Sequence, residues 1–143
     1  MSKKRIKVCV LGATGLIGSN LVREGLARGY YVKGVARNID NTTQLDNLRK
    51  LPNAENGLEL HKADMSMVDS LVRPLNSVDC VFIACLTPTF YGSSGKPAKE
   101  MNDEQGYREI ISPTVDGCLN VLKTAVSKNI KNVVICSSTS STN

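Results

Sequence analysis

The run Gly12-Ala13-Thr14-Gly15-Leu16-Ile17-Gly18 constrains this chain more than any other feature. It stands between an apolar stretch at residues 6–11 (IKVCVL) and a segment in which Leu16, Ile17, Leu21, Val22 and Leu26 recur at helical spacing. Glycines at such a junction permit a sharp turn, close helix–strand packing, and approach of another group to bare backbone. The helix that follows offers unpaired N–H groups and the positive end of its dipole, a setting that suits phosphate oxygens. Strand, glycine turn and helix together open a β-α-β unit.

The remaining chain repeats that alternation. Strands are expected at residues 31–36, 58–62, 81–85 and 133–136, and helices at 15–28, 42–51, 66–73 and 104–129. Asp64 or Ser66 is the expected N-cap of the third helix. The strands are short and continuously apolar, as befits a parallel sheet covered by helices on both faces. At 143 residues the chain suits one domain. Residues 87–103, polar and holding Gly92 and Gly95, are expected to be a mobile loop beyond the fourth strand.

Several residues carry chemistry at the carboxyl ends of these strands. The second strand ends in Ala36-Arg37-Asn38, where an acidic residue would hold a ribose 2′-hydroxyl. A guanidinium matches a 2′-phosphate in charge and in forked geometry, so NADP(H) is expected over NAD(H). Asp64 and Met65 follow the third strand, near an adenine pocket in this layout. Hydroxyls of the fifth-strand terminus, Ser138 among them, belong beside the same crevice.

Other classes fit poorly. Four of the cations behind the net charge of +5 are Lys3, Lys4, Arg5 and Lys7, and aromatics are only 4% with no Trp, so no nucleic-acid surface is expected. Five cysteines form no CxxC pair and His61 is the lone histidine, so no metal site is expected. The cysteines read as reduced, buried thiols. No apolar run spans a membrane and the N-terminus is not a signal peptide, so no membrane association and a cytoplasmic location are expected.

GATGLIG, the Val-Ala-Arg end of strand two, KADM, DCVFIACLTP and EIISPTVDGCLNVLKTA…KNVVICSS occur in order and at matching spacing. Together they resemble the extended short-chain dehydrogenase/reductases, in particular the group of dihydroflavonol, anthocyanidin and cinnamoyl-CoA reductases. The resemblance implies a Rossmann-type doubly wound sheet of order 3-2-1-4-5, truncated after the fifth strand. Residues 1–143 would then be an incomplete NADP(H)-binding domain without its substrate domain. It also implies that Gly12, Gly15 and Gly18 line the pyrophosphate, with contacts from Thr14, Leu16 and Ile17. Arg37 would hold the 2′-phosphate, and Asp64, beside Met65, the adenine amine. Ala84, Cys85 and Leu86 would lie under the ribose, Ser138 would bond the substrate carbonyl, and Asn143 would touch substrate.

One motif of that family is missing. Its proton donor is a tyrosine with a lysine four residues later, which favours the phenolate. Here the residues four after Tyr30, Tyr31, Tyr91 and Tyr107 are Gly34, Val35, Gly95 and Ile111. The expected function is the cofactor half of an NADP(H)-dependent reductase of a small-molecule ketone or activated acyl carbonyl, inactive alone. The alternatives are a non-catalytic NADP-sensing protein, or a sugar-nucleotide epimerase or dehydratase fragment, against which Arg37 argues. A fifth strand left as a sheet edge would favour homo-oligomers.

Overall fold

The computed structural model describes residues 3–40, 42–85 and 91–138. Five strands, β1 (Lys7–Leu11), β2 (Tyr31–Ala36), β3 (Leu58–Lys62), β4 (Cys80–Ile83) and β5 (Asn132–Ile135), form one sheet of order β3-β2-β1-β4-β5. Every pairing is parallel. The reversal of order on either side of β1 makes a crevice at the carboxyl edge, where such sheets bind ligands.

Alternation along β1 explains why both faces are apolar. Val8 and Val10 point to one side, into a cluster with Val22, Leu26, Val32 and Leu48. Cys9 and Leu11 point to the other, into a cluster with Leu71, Val81, Ile83, Val121 and Ala125. The first cluster is closed by α1 (Leu16–Ala27), α2 (Thr42–Arg49) and α3 (Ala54–Gly57). The second is closed by α4 (Val68–Leu71) and by the long helical stretch before β5.

That stretch differs from the single helix expected. It runs as α5 (Asp103–Gly106), a π-helical turn (Tyr107–Ile111) and α6 (Ser112–Ser127). Gly117 packs on Met65 just past β3, and Asn120 donates to the Met65 carbonyl at 2.8 Å. Residue 117 therefore marks the level of the carboxyl edge. Residues 103–116 rise beyond it by about 20 Å at 1.5 Å per residue. Against that overhang lies the described part of the expected loop. Tyr91 pairs with Pro97, Gly92 N–H donates to the Lys96 carbonyl at 3.0 Å, and a 3-10 turn spans Ala98–Glu100. Residues 91–100 thus form a closed turn.

The third helix is shorter than expected. α4 begins at Val68; its cap position is Met67, which lends no side-chain bond, so neither Asp64 nor Ser66 caps it. Asp64 instead accepts from Ser66 N–H at 2.8 Å, an Asx turn before the helix. Of the cysteines only Cys9 is buried; Cys80, Cys85, Cys118 and Cys136 are half-buried, and all are free. No helix among the described residues is long and apolar enough to cross a membrane.

Candidate functional site

The glycine turn sits where the sequence places it, and each glycine has its own steric reason. Gly12 has φ +82, and a Cβ there would lie 2.7 Å from Cys85 Cβ at the end of β4. A Cβ on Gly18 would overlap the Gly12 carbonyl, so the first turn of α1 can press against the loop only without one. Gly15 differs: its nearest neighbour would be the Gly12 oxygen at 3.5 Å, ordinary contact, with the other side open. Two residues are thus needed for the protein's own packing, and the third presents bare backbone outward. The N–H groups of Gly12 and Ala13 both donate to the Val35 carbonyl, at 3.1 and 3.0 Å, which fastens the turn to β2.

Helix α1 starts with its positive end free. Its cap, Gly15, offers no side-chain bond, and its first turn has no acidic residue. Leu16 and Ile17 stand 83% and 52% exposed beside that end, apolar surface facing the place where a ligand would lie. A dinucleotide's diphosphate fits this arrangement, in steric terms at Gly15 and in electrostatic terms at the helix start.

Arg37, Asp64, Met65, Ala84 and Cys85 converge on the same edge. Arg37 is exposed just past β2, and its charge acts on both Asp64 and Cys85. Among the described residues no ion pair occupies its guanidinium. Bonds from Ser66 N–H and Ser66 Oγ–H, helped by Arg37, hold the Asp64 carboxyl below its ordinary value. Both bonds reach Oδ1, so Oδ2 takes no part in them and keeps its acceptor capacity. Ala84 N–H donates to the Leu11 carbonyl at 3.0 Å, keeping the end of β4 level with the turn. Burial pushes the Cys85 thiol up to about 11, so it is a neutral packing group 3.8 Å from Met65 Sδ rather than a nucleophile.

Thr14 stands in the turn itself and also borders a cavity of about 240 Å³ between α1 and α2, with Arg23, Gln44 and Asn47. Ser138 is exposed past β5, one strand further from the turn; Cys136 N–H bonds the Ile83 carbonyl and carries that ladder to the edge. Leu86 and Asn143 lie outside the described residues. Sequence reasoning missed Ala13 and Asn120. Ala13 acts through its N–H, which no side-chain pattern reveals. Asn120 shares a face with Gly117 one turn away, and only the fold brings Met65 beneath both.

A family model described as NAD(P)H-binding matches residues 12–143. The dihydroflavonol 4-reductase of Dianthus caryophyllus is 37% identical over 131 residues, 92% of this chain and 33% of that protein. Cinnamoyl-CoA reductase 1 of Petunia hybrida is 35% identical, over 92% of this chain and 34% of that protein. The chain therefore spans about a third of the length of these relatives. Among solved structures, yeast methylglyoxal/isovaleraldehyde reductase complexed with NADPH superposes with a TM-score of 0.69 at 21% identity, over 93% of this chain and 37% of that one. At that identity the likeness speaks for the fold, which is the Rossmann type expected from the sequence.

Proposed function

The chain belongs to the NAD(P)H-binding family, and we propose that it is the cofactor-binding half of an NADP(H)-dependent reductase acting on a ketone or activated acyl carbonyl. The observation that carries the cofactor preference is Arg37, unpaired among the described residues and set just past β2 beside Asp64. In this reading Gly12, Gly15 and Gly18 shape the diphosphate cradle, flanked by Thr14, Leu16 and Ile17. Arg37 takes the 2′-phosphate, Asp64 accepts the adenine amine beside Met65, and Ala84, Cys85 and Leu86 lie under the ribose. The bound nicotinamide supplies reducing equivalents to the carbonyl carbon. Ser138 donates a hydrogen bond to the carbonyl oxygen, and Asn143 touches substrate.

The reading makes the domain incomplete, with its substrate domain elsewhere. Two surfaces support this. Val134 and Ile135 on edge strand β5 are 47% and 43% exposed, whereas β1 in the centre is buried. Ile111, Val115, Leu119 and Val126 leave an apolar stripe along the helix before it. Further strands and helices would cover both; alone, the chain would pair through this edge with another copy. The free thiols fit a cytoplasmic setting.

Parallel fluorescence titrations with NADPH and NADH test the reading, with no Trp emission to interfere. NADPH is expected to bind about ten- to a hundredfold tighter, the worth of a charge-assisted contact. Arg37→Ala should erase that margin and leave NADH affinity alone. Equal affinities in the wild-type chain would overturn the NADP(H) assignment.

A further inference from the structure

Glu109 is a buried carboxylate, 8% exposed, that the nucleotide site does not use. It sits in the π-helical turn of the overhang. Such a turn holds one residue more than an α-turn and rotates what precedes it by about 100° around the axis. Its Oε2 accepts from Ser94 Oγ–H at 2.6 Å and Ser94 N–H at 3.1 Å, and its Oε1 accepts from Gln105 Nε2 at 2.8 Å. Gln105 in turn accepts from Lys96 Nζ at 3.4 Å. Gly92 completes the fit, because a Cβ there would collide with Glu109 Oε2 and Met101 Cε. Segment and helix are thereby joined through one carboxylate, whose partners come from both. These bonds hold its pKa down at about 2, so it stays charged across the neutral range.

We propose that Glu109 is a positioning residue: its carboxylate fastens residues 91–101 to the overhanging helix, and the fastened segment is a fixed wall beyond the carboxyl edge, on the substrate side of the crevice. The substrate side is defined by the reductase reading above; the fastening stands without it. The wall carries Ala98 and Met101, which with Tyr107, Ile110 and Ile111 border an open groove of about 730 Å³. Releasing the latch would therefore reshape an apolar surface and leave the glycine turn untouched.

Limited trypsin digestion of the 143-residue chain reads the latch at Lys99, an exposed bond inside the fastened segment. Glu109→Ala is expected to raise cleavage after Lys99 about tenfold, the worth of a lost charge-assisted contact. Glu109→Gln keeps an acceptor oxygen for Ser94 and should restore most of the protection. Gly92→Ala, which leaves Glu109 in place, should open the segment as Glu109→Ala does. Cleavage at the wild-type rate in Glu109→Ala overturns the proposal, and so does loss of amide protection in β1 along with the segment, which would make Glu109 a general support of the fold. NADPH affinity, followed by fluorescence, should be unchanged in Glu109→Ala. A fall as large as that in a glycine-turn variant overturns the substrate-side placement. A wild-type chain that binds neither nucleotide removes that placement, and the trypsin rates still decide the fastening.

Discussion

Two segments meet at the carboxyl edge of this sheet, and they are held by different means. The turn after β1 is held by backbone: two N–H groups on the Val35 carbonyl, a positive φ at Gly12, and a helix that closes only because Gly18 lacks a Cβ. The segment after β4 is held by side chains: Glu109, Ser94 and Gln105. A site made of backbone depends on the absence of atoms, and almost any substitution adds some. A site made of side chains depends on their presence, and each can be exchanged. The first suits a ligand that stays constant, as a cofactor does. The second suits a surface that varies with substrate.

The sharpest way to break the comparison is Gly18→Ala. The added methyl overlaps the Gly12 carbonyl, and neither partner is a flexible side chain that could move aside. Unfolding by urea should reveal a loss of about 3 kcal/mol or more, with nucleotide binding abolished. A variant of wild-type stability would mean that the turn relaxes and is not steric in origin.

Gly15→Ala separates packing from binding within the same turn. Its φ of −76 and ψ of 173 suit alanine, and its Cβ would meet only ordinary contact. Stability should change by about 1 kcal/mol at most. NADPH affinity should fall about tenfold or more, because the methyl occupies the face open to the diphosphate. Unaltered affinity would move the phosphates away from Gly15.

The same contrast explains what the sequence makes legible. Backbone-built features leave a mark in the chain, because glycine has few substitutes at Gly12 and Gly18. The strand order follows from resemblance, and the apolar runs locate β1 and β2 to within a residue and β4 to within two. Residues 87–103 were read as open loop because their composition is polar. The described part, residues 91–103, is instead tied by Ser94 to Glu109, which sits in a π turn that no periodicity in YREII announces. Asp64 reads from sequence as a helix cap or an adenine acceptor, and its Asx turn with Ser66, outside α4, removes the first of these. Met65 and Asn120 are 55 positions apart, and only β3 and α6 packing together relates them.

Acid should distinguish the two segments by the smallest of these effects. The glycine turn contains no titratable side chain, so its bonds carry no pH dependence of their own. The latch does. Bonds from Ser94 and Gln105, with the Arg108 charge nearby, lower Glu109 from 4.5 to about 2. A carboxyl whose pKa is lower folded than unfolded stabilises above its unfolded value, and that contribution disappears as pH falls through the folded one. The share of the latch protection that depends on the carboxylate charge should therefore be full at neutral pH, start to decline below about 4.5, and be gone below about 2, leaving the level that Glu109→Gln shows throughout. Hydrogen-exchange protection factors for residues 91–101, taken relative to β1 amides at each pH, isolate this from general acid destabilisation by Asp64 and Asp79, whose carboxyls are also lowered. In Glu109→Gln the same ratio should stay flat with pH. A flat ratio in the wild-type chain would mean that hydrogen bonds other than those of an ionised Glu109 hold the segment, and the two halves of the edge would no longer differ in kind.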